Sequence, residues 1–203
     1  IDKLIYNAVF NGNAEVREYS RKLIKFTGAQ VGVKSASIQG LYEAMGKGEV
    51  KGFTVPAINI RGLTYDTARA IFRSAIKNDS GAFIFEIAKS EIGYTEQRPA
   101  EYTACVLAAA IKEGYRGPVF IQGDHFQINA KKFVVNKDAE VNDVKKLIKE
   151  AIDADFFNID IDASTTVDLD KPSVLEQQRP NFETTAVLTE FIRANEHSGV
   201  TVS

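Results

Sequence analysis

The spacing of apolar residues changes once along this chain. Up to about residue 50 it follows the three-and-four repeat of helices. Leu4, Ile5, Ala8 and Val9 form one stripe, Val16, Tyr19, Leu23 and Phe26 a second, and Ile38, Leu41, Tyr42 and Met45 a third. Asn11-Gly12-Asn13 and Thr27-Gly28 separate the stripes. Beyond residue 52, short apolar runs alternate with amphipathic segments. Phe53 to Ile60, Ala82 to Ala88, Pro118 to Asp124, Phe156 to Ala163 and Val200 onward read as five strands. Between them a helix is expected from Thr64, with Ala68, Ile71, Phe72 and Ala75 facing inward. Another runs from Pro99, favoured at a first helical position, to Gly114, a common stop. Val141 to Ile152 repeats at helical spacing, and a last helix runs from Pro180 to about Glu196.

Strict alternation of strand and helix predicts an α/β fold with a parallel sheet and right-handed crossovers. Five strands cannot close an eightfold barrel, whose usual length is about 250 residues. The fold is therefore either a doubly wound sheet or the N-terminal portion of a (β/α)8 TIM barrel. The expected organisation is an N-terminal helical segment, residues 1–52, followed by an incomplete barrel, residues 53–203, that holds strands one to five. The sequence starts at Ile1 and stops within an apolar, β-branched stretch, so it reads as a fragment that is inactive alone.

Composition narrows the function. With 44% hydrophobic residues in 203, the chain can build a substantial core. Lys and Arg total 25 against 27 Asp and Glu, which leaves no basic footprint for nucleic acid or an anionic membrane. No apolar run approaches the roughly 20 residues of a membrane span. The single cysteine, Cys105, excludes an intrachain disulfide and an all-Cys metal cluster, and fits a reducing compartment. A cytoplasmic homo-oligomer is the expectation.

The expected strand-to-helix loops are long and polar (Lys89 to Arg98, Phe126 to Glu140, Thr165 to Arg179), whereas the helix-to-strand loops are short. In parallel α/β folds chemistry gathers at the carboxyl ends of strands. Polar residues fall at that edge on four successive strands: Asn59; Glu86; Asp124 and His125; Asp160, Asp162 and Ser164. Each also has a structural reading. Glu86 can pair with a lysine, Asn59 can bond an irregular backbone, and Asp160 and Asp162 can cap the following loop. Asp124-His125 points more firmly to function, because a structural histidine seldom sits beside a carboxylate at a strand end. Lys89, at the end of the second expected strand, is a remote Schiff-base candidate. Gly46-Lys47-Gly48 follows a helix and precedes a strand, the reverse of a dinucleotide fingerprint.

Taken in order, Phe53-Thr54-Val55-Pro56-Ala57-Ile58-Asn59, Gly123-Asp124-His125 and Ile161-Asp162-Ala163-Ser164 resemble the class II, metal-dependent fructose-bisphosphate aldolase family over roughly Phe53 to Ser203. The resemblance implies a (β/α)8 barrel, a divalent metal, usually zinc, and reversible aldol cleavage of a ketose bisphosphate to dihydroxyacetone phosphate and an aldehyde. It implies that Asp124 is the catalytic acid/base and His125 a metal ligand, with Asn59, Glu86, Asp162 and Ser164 on the substrate side. Ala88 stands where the family commonly has serine, and Glu86 where it has glutamine. The same residues resemble non-catalytic subunits of tagatose-bisphosphate aldolase, and some relatives are sugar-phosphate epimerases.

Overall fold

The computed structural model describes residues 1–203. Its elements are α1 Asp2–Phe10, α2 Ala14–Gln30, β1 Val33–Ala36, α3 Gln39–Gly46, β2 Ala57–Asn59, α4 Thr64–Lys77, β3 Ile84–Ala88, α5 Lys89–Thr95, α6 Pro99–Lys112, β4 Gly117–Gln127, α7 Ala130–Val135, α8 Lys137–Asp153, β5 Asn158–Asp162 and α9 Val174–Asn195. A single 3-10 turn, Ser164–Thr166, follows β5. The architecture is α/β, with nine helices and one sheet of five strands in which every pairing is parallel. No helix is long and apolar enough to cross a membrane.

The strands run in the order β2, β3, β4, and the far edge of β4 is shared. Its first residues pair with β1, from Val33 opposite Gly117 to Ala36 opposite Phe120. Its last pair with β5, from Gln122 opposite Asn158 to Gln127 opposite Asp162. Asn158 closes the seam where one partner replaces the other. It is buried, accepts from the Ile38 amide at 2.9 Å, and donates to the carbonyls of Ala36 at 3.2 Å and Ile121 at 3.0 Å.

One face of the sheet is apolar. Phe85, Ile87, Val119, Ile121 and Phe126 are buried there with residues of α4, α6 and α8. Phe72 of α4 lies with its ring centroid 4.9 Å from those of Phe85 and Tyr115. The core helix α6 carries an uninterrupted buried run from Tyr102 to Ala110. A helix apolar all round needs cover on every side. Here α1 and α2 pack against α6, as do α4 and α8. Asp2 fastens this outer layer by accepting from Tyr65 of α4 at 2.7 Å and Lys112 of α6 at 2.6 Å.

Several expectations are corrected. The first 52 residues are not wholly helical, because β1 joins the main sheet. The expected first strand shrinks to Ala57–Asn59, an edge strand paired only with β3 and preceded by Pro56, which has no N–H to donate. The third does not end at Asp124 but continues to Gln127, and α7 with the start of α8 replaces the expected loop from 126 to 140. The last helix begins at Val174, six residues before Pro180, where Ser173 caps the Glu176 amide. Of the expected fifth strand, Ser203 alone bonds to the sheet, through Phe157 O at 3.0 Å and Ile159 N at 2.9 Å.

Candidate functional site

The face of the sheet opposite the α4, α6 and α8 layer carries the polar side chains. In-register neighbours of a parallel pair project to the same side, so the alignment of Asn59 with Glu86, Glu86 with Gln122 and Gln122 with Asn158 forms a polar row across four strands. Gln122 donates to Glu86 Oε2 at 3.0 Å. Further along, Ala88 aligns with Asp124, so Glu86 and Asp124 lie toward the same carboxyl end.

Two adjacent strand residues normally face opposite sides. Asp124 and His125 escape that rule through a β-bulge rather than through the end of the strand. Gly123 aligns with Ile159 and Phe126 with Ile161, leaving two residues of β4 opposite Asp160 alone. His125 takes a left-handed backbone with φ of 42°, a region in which His is among the enriched side chains. Its amide donates to Asp160 Oδ2 at 3.2 Å. Gly123 is required beneath the bulge, since a Cβ there would stand 2.5 Å from the buried Phe126 ring.

The His125 ring lies between carboxylates. Nδ1 is 3.1 Å from Asp162 Oδ2, and Nε2 is 3.7 Å from Asp124 Oδ1. Asp162 is further bonded by Gln127 Nε2 at 2.6 Å and by the amide and hydroxyl of Ser164 at 3.1 and 2.6 Å. Asp124, His125 and Asp160 each offer a donor atom within 4.8 Å of the other two, so this group can hold a metal ion.

Electrostatics follow from the crowding. Burial raises the pKa of Glu86, and the neighbouring Asp124 adds to the effect. Burial also raises Asp124, reinforced by Asp160 and Glu91 and opposed by His125. His125 is raised by its bond to Asp162 and then by Asp124. Burial would raise Asp162, but hydrogen bonds from Ser164, His125 and Gln127 outweigh it and bring the carboxyl down to about 2.

Asn59 stands at the margin. Its Nδ2 donates to the buried Glu91 at 2.7 Å, and its Oδ1 is buried without a partner. Glu91 also accepts from the Ala88 amide at 2.9 Å and pairs with Arg61 at 3.2 Å. Lys89 is no free amine: it pairs with the buried Glu140 at 3.0 Å and donates to Gln127 O at 2.6 Å. Sequence reasoning passed over Glu91, Gln122 and Gln127. Gln122 and Gln127 carried a signal, as polar residues set among the apolar positions of β4. Glu91 carried none, because its role depends on a bond from Asn59, 32 positions away on β2.

No protein-family model matches this chain, and no curated protein matches it.

Proposed function

We propose that the protein carries the metal-dependent chemistry of a class II ketose-bisphosphate aldolase, and that its sheet is an arc of a (β/α)8 barrel. The observation that carries this reading is the bulge at Asp124-His125, which turns a carboxylate and an imidazole toward one group of donors at the carboxyl end of the sheet. The sequential parallel order of β2, β3, β4 and β5 is the order such an arc would have.

The donor set fits a divalent cation. Asp124, Asp160 and Glu86 lie close together, while Lys89 and Arg61 are engaged by Glu140 and Glu91. The three-donor group is one imidazole and two carboxylates, which suits zinc and other divalent transition metals. His125 and Asp160 would hold the ion. Bound there, it would supply positive charge that polarises a carbonyl oxygen beside the bond that breaks. Asp124 moves the hydroxyl proton at that bond, a task helped by the burial that raises its pKa. Asn59 supports the margin of the site by holding the buried Glu91 through its Nδ2.

The test is retro-aldol turnover of fructose and tagatose bisphosphates by full-length protein, with and without a chelator, alongside metal analysis. His125→Ala is expected to lose metal and activity together. Asp124→Asn is expected to lower turnover about 10²- to 10⁴-fold, with a much smaller change in metal content. Stoichiometric metal and normal turnover in His125→Ala would remove the metal assignment.

One observation favours a second reading, an aldolase-like subunit without turnover of its own. The position aligned with Asp124 on β3 is Ala88, which offers no hydroxyl, and Ser90 lies exposed in the first turn of α5. Metal binding without any aldol cleavage would support that reading.

A further inference from the structure

We infer that Asp162 is a positioning residue that fixes the tautomer of His125, and not a substrate ligand. The inference rests on the proposed role of His125 as a metal ligand, but its first test requires no metal.

An ionised carboxylate accepts hydrogen bonds at about four lone-pair sites. Asp162 has all of them taken by its own chain. Oδ1 receives the Ser164 amide and the Ser164 hydroxyl, and Oδ2 receives Gln127 Nε2 and the His125 ring. The side chain is only 11% exposed. Nothing remains on it for a sugar hydroxyl, and the Ser164 hydroxyl donates its one hydrogen bond to the same carboxylate.

The consequence lies in the imidazole. A carboxylate that can only accept obliges His125 Nδ1 to carry its proton. In the neutral ring the lone pair is then on Nε2, the nitrogen nearer Asp124. Metal-ligating histidines are oriented in this way, with the second ring nitrogen donating to a carboxylate, and loss of that partner typically costs 10- to 100-fold in metal affinity. Gln127 and Ser164 keep Asp162 ionised and in place, so three residues prepare one nitrogen.

Asp162→Asn gives a signed test. The Ser164 amide can only donate, so it keeps the asparagine oxygen at the Oδ1 position. The asparagine NH2 then faces His125 Nδ1 and donates to it. The ring proton must move to Nε2, the nitrogen the metal needs free.

The chain has two histidines, and His197→Ala assigns their imidazole resonances. In ¹⁵N–¹H correlation spectra at alkaline pH, wild-type protein is expected to show His125 protonated at Nδ1, and Asp162→Asn to show it protonated at Nε2. Ser164→Ala retains the carboxylate and is expected to keep the wild-type tautomer. Titration with Co²⁺, followed by its visible absorption, should show affinity falling 10- to 100-fold in Asp162→Asn and much less in Ser164→Ala. An unchanged tautomer in Asp162→Asn, or a His125 protonated at Nε2 in wild type, would overturn the inference. If the tautomer switches but wild-type protein fails to bind Co²⁺, the positioning role stands and the metal reading falls.

Discussion

At the scale of single residues, the site depends on one absent methyl group. Gly123 is the position where the sheet changes phase, and the Phe126 ring occupies the space a side chain would need. Phe126 is itself fully buried and cannot swing away. Gly123→Ala should therefore behave as an overpacked core substitution and cost about 1–3 kcal/mol. A shift of the urea midpoint with an unchanged slope would record it, and no shift would mean that the bulge adapts.

Asp162 gives a second residue-scale expectation. Its carboxyl moves from 3.8 in a free chain to about 2 in the fold, so its share of stability is present above the unfolded value and is lost as pH falls through about 2. Unfolding followed from pH 5 down to pH 2 should show wild type losing its advantage over Asp162→Asn between roughly pH 4 and 2. A difference independent of pH would contradict the bonding described. The candidate residues were visible in the sequence because they are polar where strands should be apolar. The local bond of Asp162 to Ser164 fits the loop cap expected of it, whereas the bonds of His125 and Gln127 to Asp160 and Asp162 were not visible, since they join residues 35 or more positions apart.

At the scale of elements, the strand was expected to end at Asp124 and the bulge went unread, although the pattern carries it. The buried positions of β4 run Val119, Ile121, Gly123 and then Phe126, with Ile128 following, so the period of two slips by one residue at Asp124-His125. The start of α9 was misplaced at Pro180, although the Ser-x-x-Glu spacing of Ser173 and Glu176 marks it. By contrast, β1 offered little: four residues, Val-Lys-Ser-Ala, of which only Val33 is buried. Its extended form comes from pairing with β4, a long-range contact that no local pattern encodes. The apolar character of α6 was legible, but not the reason for it, which is the cover supplied by α1 and α2. Cys105 reports on that cover. It is 3% exposed, and burial pushes its thiol up to about 12. A neutral disulfide reagent should therefore modify native protein only as fast as α6 is uncovered, and modify denatured protein at once. Rapid stoichiometric labelling under native conditions would show that the outer helices do not hold.

At the scale of the whole molecule, the seam along β4 decides whether the N-terminal part and the sheet act as one unit. Three strands meet there, and Asn158 sits where the partner of β4 changes from β1 to β5. Its side chain bonds backbone on both sides of that change: its oxygen takes the Ile38 amide and its nitrogen serves the Ala36 and Ile121 carbonyls. Asn158→Ala would take a partner from an amide and two carbonyls around a residue that is 1% exposed. Each buried group without a partner costs about 1–3 kcal/mol, and partial relaxation brings the expected total to about 3–5 kcal/mol. Asn158→Asp distinguishes hydrogen bonding from packing, because it keeps the shape and the acceptor but sets a carboxylate against two carbonyl oxygens. At neutral pH it should be at least as damaging as alanine. Amide exchange then locates the damage: Ile38 should lose protection before the β3–β4 ladder does. Equal loss of protection at both places would mean that the seam and the sheet open only together, and that Asn158 guards no separate boundary.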